Sequence, residues 1–486
     1  MDLVAFEHHL NSPQGLGRVP DEAVTVIADG GACCDRICCS VAIDGERVTD
    51  AGFTVHGCGA ATAAGSAAVT LARGRTLFDA ARIGPNEIAS ELGGLSPAKL
   101  HAAELAADAL ARALGSGARE RARLEHSPRG RTLVAMSGGV DSAVAALLSA
   151  RTTETIAVTL ELWSDAENDA ERSCCSASAV SQARALAHSM GLPHFTIDLR
   201  REFSDGVVAP FIAGYANGET PNPCVGCNGH VRLDAMLDLA DRLGCDQLAT
   251  GHYARTAEDD HPDGPLLRVA ADPAKDQTYM LAALTPSSLA RMRFPLGELD
   301  KPAVRQIAAR VGLTVASKAD SQDLCFLAGT DRARFLARHG GVHEYKGEIV
   351  DRRGNVLSTH DGQHLFTVGQ RRGLGVATGS PLYVLEKDAL RNRVIVGDRE
   401  ELLTREVPLR GVRLRREAER VDRVKLRYRS RPVPARLQGG VVQLHEPVEG
   451  AAPGQLACLL ENDLVVGWGT ITRAREGASG SQRRSR

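Results

Sequence analysis

The sequence predicts a multidomain chain: an α+β unit, an α/β domain with a parallel sheet, a small β-rich central domain and a C-terminal β-barrel. Three observations predict it. From residue 131 apolar strand-like runs alternate with helix-like runs, the pattern of a parallel sheet covered on both faces, which receives a nucleotide at the carboxyl ends of its strands. Ahead of it, a hairpin pattern and two alanine-rich helical patterns stand as a unit of their own. After about residue 331 helical periodicity fades and short strands follow one another between glycine turns. The expected boundaries are 1–115, a partly helical linker at 116–128, 129–330, 331–398 and 399–475, with a disordered Gly/Ser/Arg tail at 476–486.

In the first unit, Cys39 to Asp44 and Val48 to Val55 read as strands joined by a turn at Asp44-Gly45. Ala60 to Arg73 and Lys99 to Leu114 read as helices, both rich in alanine. Gly115 then opens a charged stretch to Pro128 that reads as the linker. The second unit starts with the strand-like Thr132 to Ala135, the loop Ser137-Gly138-Gly139-Val140-Asp141-Ser142, and a helix. Two glycines let backbone N–H groups converge on an anion, and the helix N-terminus adds its positive end. Ser137 and Ser142 can add hydroxyl donors, while Asp141 could cap the helix or help hold Mg²⁺. The lysine and wider glycine spacing of a Walker loop are absent. Strands at Ile156 to Leu160, His194 to Asp198 and Gln247 to Thr250 alternate with helices at Ala177 to Met190 and Arg232 to Leu243.

A chain of 486 residues can bury several cores, and its net charge of -2 rules out a bulk polycation but not a local basic face. No N-terminal segment joins basic residues to a long apolar run and no stretch approaches a membrane span, so a cytoplasmic location without membrane contact is expected. The 12 cysteines need a reason. Adjacent pairs at Cys33-Cys34, Cys38-Cys39 and Cys174-Cys175 suit disulfide frameworks poorly, so metal, sulfur-transfer or redox work is the expectation. Cys174 and Cys175 read as relay thiols or bystanders, and Cys245 and Cys458, in apolar surroundings, as buried small hydrophobes. His252 could contact phosphate or simply finish a strand.

Thr220-Pro-Asn-Pro-Cys224-Val-Gly-Cys227-Asn228 places two sulfurs at C-x-x-C spacing behind stiffening prolines. That spacing fits a zinc half-site, a redox pair or a cluster site, and the chain has no second C-x-x-C to complete a zinc ribbon. Cys325 adds one more sulfur about a hundred residues later. Three cysteines are odd for zinc but natural for a cluster with an open iron.

Two resemblances follow from these residues. Ala32-Cys33-Cys34-Asp35, His56-Gly-Cys58-Gly-Ala60 and Lys99-Leu-His101-Ala102 resemble the iron–sulfur cluster assembly scaffold family. That family carries a third cysteine where this chain has Ala102, and usually glycine where it has Cys34. The resemblance implies a metal or cluster site at Cys33, Asp35, Cys58 and His101, with Cys34, Cys38 or Cys39 as substitutes, although a strand points 38 and 39 to opposite faces. It also implies a built-in donor of iron, sulfur or a cluster, and self-association. The alternative is a degenerate scaffold kept for docking.

The loop at Ser137 resembles that of the ATP pyrophosphatases, which split ATP between its α and β phosphates and adenylate a substrate. From 131 to about 473 the chain resembles the tRNA-specific 2-thiouridylase family, through Ser137 to Ser142, Thr220-Pro-Asn-Pro, Cys227-Asn228, Ala249-Thr-Gly-His-Tyr253, Lys275-Asp-Gln-Thr-Tyr279, Asp320-Ser-Gln-Asp-Leu-Cys-Phe326, Thr367-Val-Gly-Gln-Arg-Arg-Gly-Leu-Gly375 and Lys425-Leu-Arg-Tyr-Arg429. The resemblance implies ATP-dependent 2-thiolation of the wobble uridine of tRNA, by adenylation of the uracil 2-oxygen and sulfur transfer, releasing AMP and pyrophosphate. It assigns Ala135, Met136, Ser137, Gly138, Gly139, Val140, Asp141, Ser142, Leu160 and Gly251 to ATP, Cys325 to a persulfide and Cys227 to its nucleophilic partner. Asn222, Pro223 and Cys224 fall around the target base, and Lys275, Asp276, Gln277, Arg427 and Tyr428 on tRNA. ATP and Mg²⁺ are the expected cofactors, and tRNA and a cysteine desulfurase or other sulfur donor the expected partners. Many members carry aspartate where this chain has Cys224, so Cys224, Cys227 and Cys325 offer an alternative iron–sulfur cluster whose open iron could carry hydrosulfide, supplied by the first domain. A rival reading is an iron–sulfur or sulfur carrier whose nucleotide domain gates release. An amidating pyrophosphatase would have no use for Cys227 and Cys325.

Overall fold

The computed structural model describes residues 3–30, 34–165, 177–258, 264–318, 324–377 and 379–473. Cys33, Cys174, Cys175 and the tail expected at 476–486 lie outside the described residues.

A helix, Leu3–Asn11, precedes an antiparallel sheet of Val24–Gly30, Asp35–Asp44 and Arg47–His56. The hairpin closes with Asp44 opposite Arg47, and Gly45 takes the left-handed conformation its turn requires, φ +57°. The sequence reading misses the first strand, in which every residue but Ala28 is exposed or half-buried, so that no buried face marks it. Gly59–Ala72 and Leu100–Arg121 cover this sheet, as expected, with a largely alanine contact surface: Ala61, Ala63, Ala64, Ala67, Ala103, Ala106 and Ala107 are all buried.

The expected linker is the main departure. The long helix does not stop at Leu114 but continues through Gly115 and Gly117 to Arg121. A Cβ at Gly115 would lie 2.0 Å from the carbonyl oxygen of Thr196, and one at Gly117 would lie 2.6 Å from Ile43 Cδ1. These glycines are therefore contact points, not hinges: the helix touches the first sheet through Ile43 and the second through Thr196. One hydrophobic cluster runs from Ile37, Val41 and Leu110 into Ile156, Phe195 and Ile197. Buried charges cross the same boundary. Arg112 pairs with Asp108 at 2.6 Å and with Glu161, while Arg184 reaches Asp108 at 2.8 Å. Burial alone would raise the Asp108 pKa, but the Arg184 and Arg112 guanidiniums outweigh it and hold the carboxyl below its usual range. Burial keeps Glu161 above it. The rest of the stretch is pinned as well, Leu124 N–H donating to Arg242 O at 2.9 Å and His126 meeting Asp246 at 2.8 Å.

The second sheet is parallel, in the order Met292–Arg293, Gln247–Ala249, Arg131–Ala135, Glu154–Glu161, His194–Asp198. The first strand of the domain is central, so the order reverses beside it and leaves a crevice at its carboxyl end. The central domain pairs Val356–His360, Gly347–Val350, Arg393–Gly397 and Tyr383–Asp388. The final barrel runs Leu403–Leu414, Val441–Glu449, Val433–Gln438, Arg423–Lys425, Leu456–Glu461, Leu464–Ile471 and closes because Leu403–Leu414 pairs with both ends. A hairpin of the parallel-sheet domain, Arg255–Ala257 with Leu266–Arg268, adds to the last barrel strand. Among the described residues no helix is long and apolar enough to cross a membrane.

Two expectations follow. Gly115→Val forces the helix off Thr196 and lowers stability by about 1–3 kcal/mol, the usual cost of overpacking, readable as a lower denaturant midpoint. His194 is fully buried, its Nε2 2.8 Å from Thr159 Oγ1, and burial holds its pKa well below the ordinary imidazole value. The unfolded ring takes a proton near pH 6.5 and the folded ring does not, so stability falls as pH drops below that range. Denaturant midpoints at neutral and mildly acidic pH should separate for the native chain and separate less for His194→Gln.

Candidate functional site

The phosphate loop follows from local geometry. Arg131–Ala135 delivers the chain into Ser137, Gly138 turns it with φ +68°, and Gly139 is extended before the helix Val140–Ser149. Ser142 closes the loop: its hydroxyl accepts from Ser137 N–H at 3.1 Å and donates to Gly139 O at 3.0 Å. A Cβ at Gly251 would lie 2.7 Å from Ser142 N, so only glycine lets the neighbouring strand end press against the loop. Met136, on the same loop, donates its N–H to Val158 O at 2.8 Å, and Leu160 lies nearly buried farther along that strand. Two lysines that the sequence reading passes over complete the site. Lys301 Nζ donates to both Asp141 oxygens at 2.7 and 2.8 Å, and Tyr253 OH donates to Oδ1 at 2.9 Å. Lys318 Nζ donates to Gly138 O at 3.0 Å and Gln182 Oε1 at 2.6 Å. Asp141 is thus engaged by a cation rather than capping the helix. His252 bonds Thr250 Oγ1 at 2.9 Å, and burial pushes its pKa down to about 3, leaving it neutral; that supports the strand-end role over a phosphate contact.

The sulfur-bearing segment lies in the same domain. Asn222 Oδ1 accepts from Cys224 N–H at 3.1 Å and starts the short helix Pro223–Gly226. A wide π-helical turn follows at Cys227–Arg232, a form met mostly at functional sites. Asn228 Nδ2 donates to Met280 O at 3.2 Å. Cys227 is buried, and Cys224 and Cys325 are half-buried. Phe326 is anchored among Phe203, Phe211 and Phe335 with ring centroids 5.8, 5.1 and 5.1 Å away. Cys227 belongs to the large hydrophobic cluster that runs through the first two domains, and Cys325 packs against that cluster. Cys245 and Cys458 are fully buried with thiols pushed up to about 12 by burial, as expected of small hydrophobes.

In the first domain Cys58 precedes the helix Gly59–Ala72 and His101 lies in the first turn of the long helix. Cys58 Sγ is 3.2 Å from Asp35 Oδ2, and Cys58 N–H donates to Asp35 Oδ1 at 3.1 Å. Among the described residues, Asp35, Cys58 and His101 are the one trio of Cys, His, Asp or Glu whose ligand atoms all lie within 4.8 Å of each other. Cys224, Cys227 and Cys325 do not form such a trio, so their sulfurs are not gathered around a single ion. Ala102 is fully buried. Cys38 and Cys39 face opposite ways; burial pushes the Cys39 thiol up to about 12, unlike a ligating thiolate, while Cys34 is exposed with φ +54°.

Family models match the chain end to end: NifU-like N terminal domain over 4–122, tRNA methyl transferase HUP domain over 130–329, tRNA methyl transferase PRC-barrel domain over 333–398, and Aminomethyltransferase beta-barrel domain over 405–471. A chain of Rubrobacter xylanophilus named Bifunctional protein NifU/MnmA is 44% identical over 483 residues, covering 96% of this chain and 97% of that one. This chain belongs to the tRNA-specific 2-thiouridylase family, in its NifU-fused form. Members named tRNA-specific 2-thiouridylase MnmA from Geobacter metallireducens and Zymomonas mobilis are 43% and 42% identical, covering 71% and 70% of this chain and 98% and 93% of their own. The chain is therefore a tRNA-thiolating enzyme with an iron–sulfur scaffold-like domain at its N-terminus.

In this thiouridylase the residues assigned to tRNA divide by exposure. Arg427 is exposed, its Nη2 donating to Gly450 O at 2.6 Å. Tyr428 is half-buried beside Tyr279, 6.4 Å between centroids, and burial raises its phenol pKa. Lys275 and Gln277 are half-buried, Gln277 Oε1 accepting from Tyr253 N–H at 2.9 Å. Asp276 turns inward: it is 7% exposed and accepts from Thr278 Oγ1 at 2.9 Å and from Lys425 of the barrel at 3.0 Å. Its carboxylate locks barrel to nucleotide domain. Removing it strands a buried ammonium, so Asp276→Ala should cost about 3–5 kcal/mol, seen as a lower melting midpoint.

Proposed function

We propose that this enzyme adenylates the 2-oxygen of a wobble uridine in tRNA and replaces that oxygen with sulfur carried on Cys325. The observation that carries the reading is the closed Ser137-to-Ser142 loop with Lys301 and Lys318 at the head of a parallel sheet, in a domain that also carries Cys227 and Cys325. Backbone N–H groups, a helix N-terminus and two ammonium groups suit a polyphosphate. Mg²⁺ bound with ATP would neutralise its charge, and Asp141 is the loop carboxylate that would exchange its Lys301 contacts to hold it.

The uracil 2-oxygen attacks the α-phosphorus, the α–β bond breaks and pyrophosphate leaves. A cysteine desulfurase or other donor has loaded Cys325 as a persulfide. Its terminal sulfur attacks C2 while the Cys227 thiolate takes the Cys325 sulfur, forming a disulfide, and AMP departs with the former 2-oxygen. A thiol reductant then restores both cysteines. Asn222, Pro223 and Cys224 surround the base, and Lys275, Gln277, Arg427 and Tyr428 offer cations and an aromatic ring to RNA. Asp35, Cys58 and His101, with Cys33, would hold a metal ion or cluster. That trio also favours a second reading, a carrier of iron or sulfur with nucleotide-gated release.

Nucleoside mass spectrometry decides between them. Unmodified tRNA, Mg-ATP and a persulfide source are incubated anaerobically with the native chain and with Cys325→Ala. The expected result is 2-thiouridine with the native chain alone, at full yield in iron-free protein. AMP release without 2-thiouridine would favour the carrier, and a strict need for iron would move the sulfur from a Cys325 persulfide to a cluster.

A further inference from the structure

The segment that leads to the cysteines is held from outside its own domain. The helix Ala209–Ala216 ends at Tyr215 and Ala216, whose carbonyls accept from Gln363 Nε2 of the central domain at 3.0 and 3.3 Å. Gly218 turns the chain with φ +76°. Lys387, on the edge strand Tyr383–Asp388 of the central domain, is 1% exposed and donates to Glu219 O at 3.2 Å and Phe366 O at 3.1 Å. From the barrel, Arg410 takes the Glu219 carboxylate, at 2.8 Å to Oε2, Pro453 O accepts from Thr220 N–H at 2.7 Å, and Gln455 Nε2 donates to Thr220 O at 2.5 Å. Asn222, Cys224 and Cys227 follow within the next few residues.

Lys387 is the unusual member of this set. A fully buried ammonium is costly without a carboxylate, and the nearest one, on Glu219, is engaged by Arg410. Its other neighbours are the Tyr215 ring, 5.7 Å from Nζ, and the cations Arg332 and Arg473. An apolar side chain would fill the same space at no such cost. What the ammonium adds is a donor to a carbonyl three residues before Asn222.

We propose that Lys387 is a positioning residue for thiolation: by holding the Glu219 carbonyl it fixes the approach of the segment carrying Asn222, Cys224 and Cys227, so that sulfur transfer depends on it while tRNA affinity does not. This rests on the thiolation reading above. Small misplacements of reacting groups cost rate far more than affinity.

The test uses the full chain with Lys387→Met, of similar length but without a donor. Three quantities are measured: single-turnover 2-thiouridine formation, tRNA Kd by filter binding, and hydrogen exchange of peptides spanning 217–227. The expected result is a rate loss of about tenfold to a hundredfold, Kd unchanged, and faster exchange confined to that segment. An unchanged rate, Kd weakening in step with rate, or unchanged exchange overturns the proposal. Should Lys387→Met fail to fold, Gln363→Leu, which releases the Tyr215 and Ala216 carbonyls of the same segment, is judged by the same outcomes. If the native chain makes no 2-thiouridine, the thiolation reading has failed, and local exchange alone decides whether Lys387 fixes the segment.

Discussion

The contact between Gly115 and the Thr196 carbonyl sets how the first half of the molecule is built. A side chain there would hold the long helix off the parallel sheet, since its Cβ would lie 2.0 Å from a backbone oxygen. With glycine the helix lies against both sheets at once, and everything else at the boundary depends on that closeness: the continuous hydrophobic cluster, the Asp108, Arg112, Arg184 and Glu161 ion group, and the His194 pocket. The ion group acts through placement more than strength. A buried pair costs most of what it gains, but Arg112 cannot satisfy both carboxylates unless helix and strand keep one register.

The second half follows the same logic with polar groups. Lys425 and Asp276 fix the barrel, Lys387 and Gln363 fix the central domain, and Arg410 and Gln455 add to them. Several of these bonds end on residues 215–220, which precede the cysteines. The stretch leading to Asn222, Cys224 and Cys227 is thereby held by donors from the central domain and the barrel, most of them acting on backbone carbonyls.

Much of this was legible in the sequence where function forces local spacing. The Ser137 to Ser142 loop, the Cys224 and Cys227 pair, and the hairpin turn at Asp44-Gly45 each carry their meaning within ten residues, and the strand and helix alternation gave the parallel sheet. What was not legible acts across distance. Lys301, Lys318 and Lys387 lie in ordinary polar surroundings of the sequence, and only the fold shows what their ammonium groups reach. Asp276 sits inside a motif whose neighbours the resemblance assigns to tRNA, yet alternation along that turn sends its carboxylate inward. Gly115 misleads for a related reason: glycine signals both flexibility and close approach, and the partner that distinguishes them, Thr196, is some eighty residues away.

That distinction bears on how the fused domain could serve the thiouridylase. A flexible linker would let a donor site sample the nucleotide domain at a high effective concentration. A helix does the opposite: His101 and Arg112 are held about 16 Å apart along the axis at 1.5 Å per residue, and Arg112 is bound to Glu161 at the end of a sheet strand. The Asp35, Cys58 and His101 trio therefore keeps a fixed place relative to the ATP domain, and donation cannot rely on a swinging arm. If this domain donates iron or sulfur, it does so by direct handover at that fixed separation, through a diffusible species, or between copies of the chain.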